Sequence, residues 1–298
     1  MKTGILVPVW HAYEWIAPIT LRMISTHWAS HPELWFCGFS GDEGNLQVIP
    51  LDTEVDRSNW TRVLLEGVQG MRAMGFDAIY LIAEEHIPLA SCHEEHLNET
   101  LPSLMDRLSA SYISLMGLDN RRYPSKTPAL GPELYHMRSL MPENEPRFHL
   151  HPALWRGSVL EECCHLALKD PSENGSAWHF EKACGSPVNE LPQETKAGCY
   201  QIHAGFLSLN RKGAVGRAFN ATKRFLYHRM MALYPLMPAG RAASLYWDFL
   251  GFDNVFCDGP YPMFFSGIMA KGRLNPLFMK FLQRSNPGLL RTILDARP

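Results

Sequence analysis

Four short apolar runs, separated by segments of helical periodicity, fill the first 120 or so residues, and this alternation restricts the available folds more than any other feature. The runs are Gly4 to Trp10, Leu34 to Phe39, Ala78 to Ala83 and Tyr112 to Leu118. Each has the length and the β-branched and aromatic content of a buried strand. Between them, Tyr13 to His27, Ser58 to Met74 and the stretch carrying Leu97, Leu101, Leu104, Met105 and Leu108 space their apolar residues as helices do. Strand and helix in alternation imply βαβ units, right-handed crossovers and a largely parallel sheet. The expected fold class is therefore α/β, with a Rossmann-type sheet flanked by helices.

In such sheets ligands bind beyond the carboxyl ends of the strands. The third run, Asp77-Ala-Ile-Tyr-Leu-Ile-Ala-Glu-Glu-His-Ile-Pro-Leu89, empties directly into Glu84, Glu85 and His86. The alternative is a strand that merely exits to solvent, since charged side chains are rarely buried without a partner. No Gly-x-Gly-x-x-Gly opens the first helix and no Gly-x-x-x-x-Gly-Lys-Ser/Thr loop occurs, which argues against a dinucleotide dehydrogenase and a P-loop phosphotransferase. Acids at a strand end without a glycine cradle suit a divalent ion, because hard cations take carboxylate and diphosphate oxygens together.

The order of motifs resembles the GT-A-fold nucleotide-sugar glycosyltransferases, in particular a bacterial and viral group with a paired-aspartate strand end and a Trp-x-Phe-Glu segment. The matching pieces are Ile5-Leu-Val-Pro-Val-Trp10, His27-Trp28 through Pro32, Leu81-Ile-Ala-Glu-Glu-His-Ile87, Phe148-His-Leu-His-Pro-Ala-Leu-Trp-Arg156 and Ser176-Ala-Trp-His-Phe-Glu181, spanning residues 4 to 205. The resemblance implies a GT-A-like mixed sheet and transfer of a sugar from a nucleotide-sugar donor to a hydroxyl, with inversion. It places Pro8, Val9, Trp10, Tyr13, Asp42, Glu43, Glu84 and Glu85 on the donor, and Trp155 and Trp178 on the acceptor. It also implies Mn²⁺ or Mg²⁺ held by Glu84, Glu85 and His86, with His203 returning to the ion.

The chain departs from the family where Glu84 and Glu85 replace paired aspartates and His86 follows them. An imidazole ligand favours a transition metal over Mg²⁺; equally, the change is compatible with loss of metal binding. Inversion needs a carboxylate to take the acceptor proton, and the resemblance assigns this to Glu181, walled by Trp178 and Phe180. On residue types alone, Trp178 and Phe180 are as well read as core residues and Glu181 as a cap or a partner of Lys182. His149 and His151, read as a strand, share one face, with Phe148 and Leu150 on the other.

The formal charge of −2 conceals a polarity: residues 200–298 carry 13 Lys and Arg against 4 Asp and Glu, while residues 1–199 carry 15 against 26. The basic third includes Arg211, Lys212, Arg217, Lys223, Arg224 and Arg229 on an expected long helix, and Lys271, Arg273, Lys280 and Arg284. It suits an anionic partner, so the acceptor classes are a glycan, a lipid-linked molecule or nucleic acid; pairing of these cations with the acidic N-terminal part is the competing reading. The expected organisation is a nucleotide-sugar-binding Rossmann-like half at 1–120, an acceptor or catalytic half at 121–205, and a basic, largely helical region at 206–298. Seven cysteines without framework or zinc spacing read as free thiols. Together with the lack of a signal-like start or an apolar run near 20 residues, they lead to the expectation of a cytoplasmic protein with no transmembrane segment. Three alternatives compete with a general glycosyltransferase: a phage-type DNA glycosyltransferase acting on modified bases, a non-catalytic nucleotide- or glycan-binding relative, and a metal-dependent hydrolase.

Overall fold

The computed structural model describes residues 1–39, 44–53, 59–115, 136–139, 148–169, 175–185, 190–203, 256–257, 260–264, 267–270 and 272–298, with positions 55 and 222. A seven-stranded mixed sheet forms the centre, in the order β2-β1-β3-β6-β4-β7-β5. Its strands are β1 (Thr3–Pro8), β2 (Leu34–Cys37), β3 (Ala78–Leu81), β4 (Tyr112–Ser114), β5 (His136–Ser139), β6 (Ala153–Arg156) and β7 (Cys199–His203). β1, β2, β3, β4 and β7 run parallel, and β5 and β6 run against them. The four expected strands and their order are therefore present, and the fold is mixed α/β with helices on both faces.

Period-two alternation sorts each strand between two cores. On one face Ile5, Val7, Tyr80, Ile113 and Leu154 meet α1 (Ala17–His27) and α3 (Leu101–Arg107), together with Trp28 at the end of α1. Trp28 meets Tyr80 edge-to-face at 5.3 Å, a geometry worth about 0.5–1.5 kcal/mol beyond the area it buries. The Tyr80 hydroxyl donates to the Leu97 carbonyl at 2.5 Å and the Trp28 indole N–H to Asn98 Oδ1 at 3.0 Å, which satisfies the polar atoms this packing would strand. On the other face Leu6, Ile79, Leu81, Tyr112 and Trp155 meet α2 (Trp60–Ala73), α4 (Gly157–Ala167) and α5 (Ala177–Gly185). α2 approaches so closely that a Cβ at Gly67 would stand 2.6 Å from Cys37 Sγ.

Two local features differ from the periodicity. The first helical segment begins as a 3₁₀ turn, His11–Ile16, and becomes α-helical only at Ala17, where Pro18 fits the first turn. The third begins with a π turn, His96–Thr100, before α3. The Arg156 guanidinium then donates to the Ala110 and Met105 carbonyls at 3.1 Å each, covering the carboxyl end of α3.

The described part of the C-terminal region contains short strands as well as helices: β8 (Phe256–Cys257) with β9 (Met263–Phe264), β10 (Met269–Ala270) with β11 (Arg273–Leu274), then α7 (Pro276–Ser285) and α8 (Pro287–Ala296). A short α6 (Gln193–Ala197) precedes β7. A third core joins α7 and α8 to the start of the chain through Phe278, Phe281, Leu282, Leu289 and Ile293, packed with Ile16, Ile19, Met23 and Ile87. Of the expected basic helix at 211–229 only Thr222, which is helical, is among the described residues. Cys37, Cys92, Cys163, Cys164, Cys184 and Cys199 are free and buried. Among the described residues no helix is long and apolar enough to cross a membrane.

Candidate active site at the carboxyl edge of the sheet

Parallel pairing of β1 with β3, Leu6 opposite Leu81, carries both strands to the same edge. Ile82 continues the ladder by donating to the Leu6 carbonyl, and the chain then turns, with the His86 N–H on the Ala83 carbonyl. That turn returns Glu84 to β1, where its carboxylate accepts the Trp10 N–H at 3.3 Å. Thr20 of α1 holds the same residue from behind, its hydroxyl donating to the Glu84 carbonyl at 2.6 Å. Glu84 is only 5 % exposed. Burial pushes its carboxyl up to about 7, against the stabilising N–H groups of its own backbone and Trp10.

Glu85 turns to another wall. Its carboxylate takes the Met269 N–H, and its carbonyl takes the Ile268 N–H at 3.0 Å. Burial and then repulsion from Glu84 push its carboxyl up to about 8. Among the described residues no lysine, arginine or histidine forms an ion pair with either acid. The sequence groups Glu84, Glu85 and His86 as one ligand set, but the two carboxylates take different partners, the Trp10 and the Met269 N–H, and no group of three His, Cys, Asp or Glu among the described residues converges as a metal cage.

β6 brings the second half of the chain to the same edge. Because it runs antiparallel between β3 and β4, its first residue, Ala153, lies opposite both Leu81 and Ser114. The residues just before it therefore meet the loop just after β3. His151 Nδ1 lies 3.3 Å from His86 Nε2, with the rings 5.1 Å apart at 74°. His149 follows at 6.3 Å from His151. Burial, then the neighbouring His86 and His149, hold His151 well below the ordinary imidazole range, so it is neutral at pH 7. The strand expected at Phe148 to His151 is not formed; β6 starts at Ala153, and His149 and His151 lie in the turn before it. Sequence periodicity singled out these histidines but paired them with each other. The pairing of His151 with His86 depends on strand order, which no local pattern encodes.

Glu181 joins this row from α5, whose helical start its own Trp-His-Phe-Glu spacing shares. Its carboxylate accepts the Leu150 N–H at 2.8 Å. Trp178, three residues earlier and thus on the same helical face, is 82 % exposed. The expected apolar wall of Trp178 and Phe180 is split: Phe180 is wholly buried against Trp155 and Trp60 at 6.3 and 6.1 Å. Trp155 is likewise wholly buried, stacked on Phe148 at 5.0 Å and 15°. Its expected role on an acceptor is corrected by its place in a central strand, where it faces the α4–α5 layer.

Of the residues expected on a donor, Pro8 ends β1 and Val9 is wholly buried, while the Trp10 and Tyr13 rings are in edge contact at 4.6 Å where the Trp10 N–H meets Glu84. Asp42 and Glu43 lie outside the described residues. His203 is the last residue of β7, which runs parallel to β4 and so ends at the same edge; its side chain lies outside the described residues. A stretch that the sequence did not single out, Gly267 to Met269, closes over Glu85 from the C-terminal region.

No protein-family model matches the chain, and no curated protein sequence does. Solved structures that match the chain include TarS of S. aureus, with a TM-score of 0.35 and 9 % identity over 84 % of this chain and 44 % of that one, and the mannosyltransferase PcManGT from Pyrobaculum calidifontis in complex with GDP-Man and Mn²⁺, with a TM-score of 0.36 and 12 % identity over 99 % and 73 %. The chain thus spans less than half the length of TarS.

Proposed function

We propose that this protein is a glycosyltransferase that moves a sugar from a nucleotide-sugar donor to a hydroxyl acceptor, with inversion at the anomeric carbon. The observation that carries this reading is the convergence on one sheet edge of Trp10 and Glu84 from the first half with Leu150, His151 and Glu181 from the second. A donor half and a base half meet there, at the position where open α/β sheets bind nucleotides.

In this reading Trp10 and Tyr13 form the platform for the base, and Glu84 meets the ribose and diphosphate side. The residues fit a divalent ion that is bound together with substrate. Two acids without a cationic partner among the described residues call for positive charge, and cations that carry nucleotide phosphates commonly use one or two protein carboxylates plus phosphate oxygens. Glu84, with Glu85 or His86, would hold it, and it would offset the diphosphate charge. Glu181 takes the acceptor proton as the hydroxyl attacks, since an alcohol is a poor nucleophile while protonated. Trp178, exposed one turn before Glu181, stacks on the acceptor sugar face. The test is a panel of nucleotide sugars assayed by thermal shift and then by slow donor hydrolysis. Stabilisation by one donor, followed by release of its sugar, supports the reading; no response to any nucleotide or nucleotide sugar overturns it.

A further inference from the structure

The turn at Gly267 to Met269 is held on both sides by different partners. Its amides face the acidic loop: Ile268 N–H donates to the Glu85 carbonyl at 3.0 Å, and Met269 N–H donates to the Glu85 carboxylate. Its carbonyls face the start of α7: Asn275 Nδ2 donates to the Gly267 carbonyl at 3.1 Å, and the Asn275 N–H donates to the Ile268 carbonyl at 2.8 Å. Asn275 is wholly buried, and its own side-chain oxygen takes the Phe278 N–H at 3.5 Å. Ile268 and Met269 anchor the turn in the core that α7 and α8 share with Ile16, Ile19 and Ile87.

A side chain at Gly267 would be both strained and crowded against Glu85. The residue has φ +66°, and a Cβ there would lie 3.0 Å from Glu85 Cγ and 3.1 Å from both its carboxyl carbon and its carbonyl oxygen. The neighbouring connections reinforce the docking: Leu89 N–H donates to the Pro262 carbonyl at 2.9 Å, His93 N–H to the Pro260 carbonyl at 3.0 Å, and the Tyr261 hydroxyl to the His86 carbonyl at 2.8 Å. The loop after β3 is therefore bonded along its length to a segment more than 160 residues away in the chain.

We propose that Gly267 and Asn275 are positioning residues for Glu85: the C-terminal hairpin α7–α8, acting through Asn275 and the 267–269 turn, fixes the second acid of the strand end in the orientation the donor site uses. The effect on donor binding rests on the glycosyltransferase reading, but the holding of Glu85 does not. The hairpin is then a part of the active site rather than an appendage to it, although none of its helical residues need touch substrate.

The test uses the full chain with Asn275→Ala, Gly267→Ala, and Leu290→Ala as a control that loosens the same hydrophobic cluster away from the turn. Backbone hydrogen exchange, measured without ligand, should rise in Asn275→Ala at 267–269 and also at 84–86 by about tenfold, the scale of one buried hydrogen bond left unmade, while β1 and β3 keep their protection. Leu290→Ala should leave 84–86 unchanged. Nucleotide-sugar affinity by calorimetry should fall in Asn275→Ala and Gly267→Ala and not in the control. If Asn275→Ala deprotects 267–269 and leaves 84–86 as in the parent, the turn does not hold Glu85 and the proposal is overturned. Should the parent protein bind no nucleotide sugar, the functional reading fails, and the exchange experiment still decides the positioning role.

Discussion

His86 and His151 stand 3.3 Å apart, nitrogen to nitrogen, across the seam between the two halves of the chain. Neither helix nor turn makes them neighbours: β6 does, by entering the sheet beside β3 in the opposite direction. The same entry sets Leu150 against Glu181, so one strand placement assembles both the imidazole pair and the carboxylate next to it.

Glu181→Gln tests the catalytic base. The amide oxygen can keep the bond from the Leu150 N–H, so the fold and donor affinity should be retained. Transfer should fall by ~10²–10⁴-fold, the usual worth of a positioned base. Steady-state transfer kinetics with calorimetry on the same variant separate the two effects; near-parental turnover would move the base to another carboxylate.

Trp10→Ala should weaken nucleotide-sugar binding by about tenfold, in the range of ~1–3 kcal/mol for an aromatic that stacks on a base. The mutation keeps the backbone N–H that Glu84 accepts, so a loss of affinity without a loss of thermal stability would locate the base platform at this residue. Unchanged affinity in calorimetry would place the nucleotide elsewhere.

Divalent metal should bind jointly with the donor. With Glu84 and Glu85 turned to different walls and no three-ligand cage among the described residues, Mn²⁺ alone should bind weakly and a nucleoside diphosphate should tighten it. Manganese relaxation or calorimetry with and without nucleotide reads this directly. Full transfer activity in excess chelator would mean that cationic side chains carry the diphosphate instead.

The metal-free protein should lose stability as pH rises. Glu84 and Glu85 bind protons more tightly in the folded state, with carboxyls raised to about 7 and about 8, than in the unfolded chain near the ordinary value of 4.5. Above 4.5 the unfolded state therefore holds fewer protons than the native one, and stability falls through the window from about 4.5 to 8, at ~1.4 kcal/mol per proton and pH unit. Thermal melts in chelator across that range should show the decline, and Glu84→Gln should flatten it.

The strands β1 to β4 are legible because each is a short apolar run bounded by turn residues, and the place of Glu84 to His86 just beyond a strand end follows from the third of these runs. A tryptophan beside a conspicuous motif resembles a ligand platform, but Trp155 sits on a central strand covered on both faces, with Leu154 in one core and Trp155 in the other. The contacts of His151 and Gly267 escape a sequence reading because their partners, His86 and Glu85, are distant in sequence, and pairing at that range is set by strand order and by docking of α7 and α8. The strand at 136–139 is hard to see in the sequence because Pro and polar residues on both sides obscure a four-residue edge strand.

The position of β6 also bears on how the chain reaches its native state. Residues 1–115 alone supply β1 to β4, yet β3 and β4 have no ladder between them; the space is filled only when 153–156 arrives. Until then two strand edges, one of β3 and one of β4, stand open across that gap, each a template for pairing with another molecule. A fragment ending near residue 115 should therefore aggregate on expression, whereas one extended through β7 at residue 203 closes both edges, and the order of synthesis itself makes the joining of the two halves a late event in folding.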